Sequence, residues 1–415
     1  MTTPLIDTAP DTREAAAQRQ AEFLDRIRAL VPGIRARANE AEALRQMPDA
    51  TVAELTEAGA FRLHTPLKYG GLQLGLEAHV EMARLLATAC VATAWATSFL
   101  AHSVTRVTKL PVAMQDRLFS ESPDLRSCGT NQPRPGVSLV KQDDGSYLLN
   151  GQWMFASGVM NARFVEVSLP NGRNERGAET RIAVMVPRDQ VEIVDTWHVS
   201  GMSATGSQDI RFNDVVVPET MVHRYEKRND TDTESSALYP DFPFLRTPYH
   251  HVVWAAHAAY VVGAAERAVE IYRTEVAPNK KRPWGTGPAI ESPIVHHMYG
   301  EAAEMARVAR IVMDREVKDV VDTFELSTGG SLSYEQRAYL NMDAVYSIRL
   351  AQQAAAQVTR MSGGNIHRKG SELDRILRDL ETLLNHSSGD WEFHTEYAGR
   401  VLLGLGLGNR AEELF

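Results

Sequence analysis

The sequence is poor in cysteine, in positive charge and in long apolar runs, and each shortage closes a class of explanation. Two cysteines in 415 residues, Cys90 and Cys128, make no disulfide framework, so a reducing cytoplasm is the expected setting. A formal net charge of -9 argues against a nucleic-acid surface, which needs clustered Lys and Arg. The longest strongly apolar stretch, VVWAAHAAYVVGAA at 252–265, falls short of the ~20 residues that span a bilayer, and His257 interrupts it. It reads as a buried core helix, with no membrane partner. The opening MTTPLIDTAPDTREAAAQRQ lacks the basic and apolar regions of a secretory leader.

Several signature motifs are missing as well. No G-x-G-x-x-G opens a strand–helix unit, so a Rossmann dinucleotide site has no support. GMSATGSQDI, 201–210, has the glycine spacing of a phosphate loop but no lysine, and a strand-like segment follows it. It reads either as a tight turn between strands or as a turn whose hydroxyls, Thr205 and Ser207, meet a planar or phosphorylated ligand. No H-E-x-x-H or C-x-x-C is present, and the adjacent pairs His250-His251 and His296-His297 point to different helix faces, so no metal is expected. Without a G-x-S-x-G elbow, hydrolase chemistry is also weakly supported.

What is present is an ordinary globular composition, 44% apolar and 23% charged, with residues enough for several layers. The fold class expected is α+β, mostly α. Residues 1–125 read as an N-terminal helical domain, with Asp49 or Thr51 capping one helix and Gly59 ending it. Residues 126–225 carry short runs rich in Val, Ile, Tyr and Phe, such as GSYLLNG, TRIAVMVP and DIRFNDVVVP. Strands without intervening helices predict an antiparallel barrel or sandwich. Residues 226–246 read as a surface linker, and 247–415 as a helical bundle with helices near 250–276, 291–323, 333–362 and 371–386.

Locally, Ser157 in FASG is a turn hydroxyl, Gly363-Gly364 in MSGGNIH a helix cap, and His102 in SFLAHSV a satisfied core histidine. Taken in order, however, the pieces have a familiar sequence. PDATVAELTEAGAFRLHTPLKYGGLQ, LLNGQWMFASG, TWHVSGMSATGSQDIRFNDVVVPE, MSGGNIH and ILRDL resemble the acyl-CoA dehydrogenase superfamily over roughly residues 45–410. The resemblance implies a helical domain, a β-domain and a C-terminal four-helix bundle, usually in a homotetramer with flavin at a subunit interface. W-x-F-x-S-G and D-T-W-H-x-S-G-M-x-x-T-G-S are similar to the class D two-component monooxygenases, of the 4-hydroxyphenylacetate hydroxylase oxygenase type. That branch implies reduced FAD or FMN from a separate NAD(P)H:flavin reductase. It also implies O2 as co-substrate, a C4a-hydroperoxide, and an aromatic substrate, phenolic or indolic; N- or S-oxygenation stays open.

Departures from true dehydrogenases point the same way. Where these keep T-E-P-x-x-G-S-D, the chain has GTNQPRPGVS. Their thioester α-proton is taken by a carboxylate a few residues beyond the Arg378-Asp379 pair, where this chain has Asn385, His386 and Ser387. The other base position, near 253, reads VVWAA. A flavin dehydrogenase or oxidase of the same fold would need Glu392 or another carboxylate in a shifted register.

The family pattern then implies roles. Ser157 would accept the N5 proton of reduced flavin without acting as a strong base. His386, or His102, would hold the proton of a substrate phenol; the plain alternative for His386 is a helix-end histidine meeting the last carbonyls. Phe155, Trp197, Thr205 and Ser207 would flank the isoalloxazine or its phosphate, while Arg282, Gly363, Gly364 and Asn365 would contact the rest of the cofactor, weighing towards FAD. His102, Tyr249, His250 and Trp254 would form an aromatic-friendly substrate pocket.

Overall fold

The computed structural model describes residues 12–108, 110–173, 179–225, 237–281, 287–327 and 332–407. Helices come first. α1 (Arg13–Ala36) starts where the Thr12 hydroxyl accepts from the Ala15 N–H. α2 (Ala38–Leu44) and α3 (Asp49–Ala58) follow. Pro48 takes the cap position expected for Asp49 or Thr51, since its fixed φ suits a helix entrance, and Gly59 ends α3 at φ 91° as expected. α4 (Leu76–Ala87) and α5 (Val91–His102) form the anticipated pair, and the short α6 (Val104–Val107) and α7 (Val112–Phe119) complete this region.

Eight strands occupy the middle: β1 (Ser127–Thr130), β2 (Ser138–Lys141), β3 (Tyr147–Ala156), β4 (Phe164–Arg173), β5 (Glu179–Pro187), β6 (Glu192–Val194), β7 (Gln208–Val217) and β8 (Val222–Tyr225). They form two four-stranded sheets, β1-β4-β5-β8 and β2-β3-β7-β6. The barrel alternative is corrected by this order: the described strands close no ring. Nor is pairing wholly antiparallel, because β1 runs parallel to β4. Trp153, fully buried on β3, joins the two sheets by donating its indole N–H to the Ser168 carbonyl of β4 at 3.3 Å.

The remaining helices are α8 (Tyr249–Ile271), α9 (Pro293–Val320), α10 (Tyr334–Ser362), α11 (Glu372–Leu383) and α12 (Trp391–Leu402). α8 is buried on nearly every face, because it is enclosed by α4 and α5 on one side and by α9, α10 and α11 on the other. One turn of π-helix extends each of α8 and α9. Of the segment expected to be a surface linker, 226–236 lies outside the described residues. Tyr239, Phe242, Phe244 and Leu245 beyond it are buried, and Phe244 stacks on His64 at 4.2 Å. A polar segment thus ends in apolar side chains that need cover. Among the described residues, no helix is long and apolar enough to cross a membrane.

Candidate active site

The site is assembled on α5. Gly158, at the end of β3, rests on Leu100: a Cβ there would lie 3.0 Å from the leucine Cγ. The 3-10 turn Ser203–Thr205 packs against the same helix, and the Gly158 N–H donates to the Thr205 carbonyl at 2.8 Å. This joins the FASG turn to the GMSATGS loop, two segments read separately in the sequence.

Three hydroxyls run in line between them. Thr205 Oγ1 donates to the Met202 carbonyl at 2.8 Å, so its only proton is spent there. Ser207 Oγ lies 2.7 Å from Thr205 Oγ1 and 2.7 Å from Ser157 Oγ. Ser207 therefore donates to Thr205 and accepts from Ser157. Ser157 is left with lone pairs for a ligand donor. Beside this chain stand Phe155, at φ 59° and 53% exposed, and Trp197, whose rings meet edge to face at 6.3 Å. An exposed phenylalanine held in left-handed backbone is a costly arrangement that a planar aromatic ligand would cover.

The GMSATGS loop is held from behind by α11. Asp379 Oδ1 accepts from the Met202 N–H at 2.5 Å, and Arg378 bonds the Ser200 carbonyl, Glu42 and Asp374. Burial pushes the Asp379 carboxyl up to about 6, with the Met202 N–H pulling the other way. The Arg-Asp pair is thus a clamp on the loop.

Along α5 and α8 runs a wall of rings. Trp95 meets Phe99 at 6.4 Å, His257 at 6.1 Å and His386 at 4.9 Å, and Phe99 meets His102 at 5.3 Å. His102 has both nitrogens engaged: Nδ1–H donates to the Ser98 carbonyl at 3.0 Å, so Nε2 accepts from the Tyr249 hydroxyl at 2.8 Å. The Tyr249 oxygen in turn accepts from Arg106 at 3.2 Å. Burial, then the Arg106 guanidinium, lowers His102 to about 3. His386 is exposed, yet the protein around it lowers it to about 4.

The expected substrate residues divide. His102 and Tyr249 are in direct contact, but His250 and Trp254 lie on another face of α8, where Trp254 packs between His250 at 4.6 Å and His394 of α12 at 5.0 Å. One residue along a helix turns the side chain by about 100°, which separates Tyr249 from His250. Gly363, Gly364 and Asn365 sit at the C-terminal end of α10; Gly363 ends that helix at φ 78° beside Lys280. Arg282 lies outside the described residues. Glu392 and Glu396, the carboxylates a dehydrogenase would need, are exposed on α12. Sequence reasoning missed Ser388 and His257; the Ser388 hydroxyl is bracketed by His257 and His386, and the histidine interrupting the apolar run was their one signal. Among the described residues, no group of three or more His, Cys, Asp or Glu is placed to hold a metal ion.

Residues 17–109 match the acyl-CoA dehydrogenase N-terminal domain and 255–391 its C-terminal domain. A pigment production hydroxylase of a Rhodococcus species is 29% identical, over 92% of this chain and 97% of its own. The p-hydroxyphenylacetate 3-hydroxylase oxygenase component of Acinetobacter baumannii is 25% identical, over 92% of this chain and 89% of its own. The crystal structure of the HsaA monooxygenase from Mycobacterium tuberculosis superposes with a TM-score of 0.82 at 27% identity, covering 94% of this chain and 99% of that one. With both terminal domains matched and full-length relatives that are flavin-dependent oxygenases, the chain belongs to the acyl-CoA dehydrogenase superfamily.

Proposed function

We propose that the protein is the oxygenase component of a two-component monooxygenase, using reduced FAD or FMN and O2 to hydroxylate an aromatic small molecule. A separate NAD(P)H:flavin reductase would supply the cofactor, and the working form would be a cytoplasmic homotetramer, consistent with the exposed Tyr339 and Tyr346 on α10. The observation that carries this reading is the acceptor hydroxyl of Ser157, in the turn that packs through Gly158 on the helix bearing the wall of Trp95, Phe99 and His102. Bound reduced flavin supplies two electrons to O2. Ser157 would hold the flavin N5 proton by accepting from N5–H, and Phe155 and Trp197 would cover the ring system. His102 and His386 line the substrate side, both uncharged at neutral pH. Gly363, Gly364 and Asn365, with Arg282, would hold the cofactor tail, which favours FAD. The dehydrogenase alternative asks for a carboxylate base, and Glu392 and Glu396 face solvent.

The test is anaerobic mixing with reduced FAD or FMN followed by oxygen. Tight binding of the reduced form and a transient absorbance before that of oxidised flavin are expected. Bleaching of bound oxidised flavin by an acyl-CoA would support a dehydrogenase instead. Ser157→Ala, which removes the acceptor, is expected to raise the share of O2 released as hydrogen peroxide by about tenfold, the worth of one hydrogen bond to a partly charged group. Unchanged coupling of O2 to product would remove Ser157 from this role.

A further inference from the structure

His386 forms an unusual contact with the turn that follows it. The Ser388 backbone N–H donates to His386 Nδ1 at 3.2 Å. A backbone N–H has no way to accept, so Nδ1 carries no proton. Ser388 Oγ is 2.7 Å from the same Nδ1, so its hydroxyl also donates there. His257 Nδ1 lies 2.5 Å from that oxygen, and with the hydroxyl proton already directed to His386, His257 must be the donor. One fixed N–H therefore orients the whole series: His257 Nδ1–H to Ser388 Oγ–H to His386 Nδ1. The proton of neutral His386 then resides on Nε2, to which nothing is bonded among the described residues.

The arrangement is built into the fold. His257 is 0% exposed at the centre of α8 and Ser388 is 3% exposed. The turn lies so close to α8 that a Cβ on Gly389 would be 3.0 Å from His257 Cε1 and 3.2 Å from Nε2, so only glycine fits without movement. His257 Nε2, left as a buried lone pair without a partner, agrees with a neutral ring protonated on Nδ1. A histidine in the apolar middle of a helix carries a desolvation cost that a single shared hydroxyl offsets.

We propose that Ser388 and His257 are positioning residues that fix His386 as a hydrogen-bond donor through Nε2–H, so that the site selects a ring oxygen, a phenol or phenolate, over an indole N–H. The proposal rests on the reading that His386 borders the substrate, and it revises the role expected of His386 from proton acceptor to donor. A donor favours negative charge on the phenol oxygen, the form that activates the ring towards electrophilic attack. An indole N–H, itself a donor, finds no acceptor in His386.

Two measurements decide this. In protein labelled with 15N at histidine, with His386 assigned by the loss of its signals in His386→Gln, NMR is expected to show Nδ1 unprotonated and Nε2 protonated. Hydrogen on Nδ1 overturns the proposal whatever the protein oxidises. With 4-nitrophenol as probe, binding is expected to raise its phenolate absorbance. Ser388→Ala and His257→Phe should each weaken binding by about three- to tenfold, the range for one hydrogen bond, and Ser388→Thr should restore it. Wild-type binding in both weakened variants would overturn the relay. If His257→Phe fails to fold, the labelled wild type and Ser388→Ala decide it. Absence of 4-nitrophenol binding to the wild type, with the tautomer as assigned, would count against the aromatic-substrate reading alone.

Discussion

A Gly201→Ala protein is expected to lose tight flavin binding and about 3 kcal/mol or more of stability, as over-packing at a rigid contact does. The added Cβ would lie 1.9 Å from the Arg378 carbonyl oxygen and 2.7 Å from Thr382 Oγ1. Neither neighbour yields easily: the carbonyl belongs to α11, and Thr382 donates to that same oxygen at 3.0 Å. Relief must come from lifting the loop, which would separate Met202 from Asp379 and Ser200 from Arg378. The Met202 carbonyl also anchors Thr205 and receives the Trp197 indole N–H at 3.1 Å, so the shift reaches the hydroxyl chain and the aromatic cover together. A urea titration and a flavin-fluorescence titration measure the two effects. Asp379→Asn is the companion variant: it keeps an oxygen for the Met202 N–H and is expected to bind flavin nearly as the parent does. A Gly201→Ala protein with unchanged flavin affinity would remove the clamp from the site.

The sequence carried the elements well and the pairings poorly, for a physical reason. α8 was legible because a run apolar on every face has few homes besides a bundle core, and β3, β5 and β7 because their β-rich runs are bounded by Gly, Pro and Asn. Ser157, Thr205 and Ser207 stood out as residue types, but the direction of their hydrogen bonds depends on Met202, whose carbonyl no local pattern marks. The Arg378-Asp379 pair was visible as a landmark for a missing base, while its clamp on residues 200–202 joins segments about 178 positions apart. Ser388 and His257 are 131 positions apart, beyond any periodicity. The parallel pairing of β1 with β4 escaped because β1 is only four residues long. The apolar end of the supposed linker, by contrast, was readable: Tyr239, Phe242 and Phe244 are too hydrophobic to lie on a surface together.

Stability is expected to fall steeply as the pH drops below 6.5, because the core holds its histidines uncharged. His64 and His79 show why. His64 Nδ1–H donates to the Leu74 carbonyl at 2.7 Å, so Nε2 accepts from His79 Nδ1–H at 2.8 Å, and His79 Nε2 is a buried lone pair. A further proton on either ring would place an N–H where no acceptor waits. Burial accordingly lowers His64 to about 4, His251 and His102 to about 3, and His79 well below its usual value. A histidine whose folded pKa is depressed gives its full stabilisation above 6.5 and loses it as the pH falls towards the folded value, since only the unfolded chain takes up the proton. Buried carboxylates oppose this: Asp379, raised to about 6, and Glu325, raised to about 7, both by burial, regain stability as they protonate. Six buried histidines, His64, His79, His102, His251, His257 and His394, and the half-buried His250 are lowered, against five raised carboxylates, Asp124, Glu316, Glu325, Asp343 and Asp379. The lowered histidines outnumber the raised carboxylates, so a net loss of stability is expected as the pH falls from 6.5 to 4.5. Thermal melts across that window should show Tm falling throughout; a Tm that is flat or rising from pH 6.5 to 5 would mean that the buried rings find acceptors for a second proton. His102 and His386 belong to the same uncharged set, so the condition that keeps the core folded also keeps both site imidazoles neutral, as acceptance by His386 Nδ1 from the Ser388 N–H and hydroxyl requires.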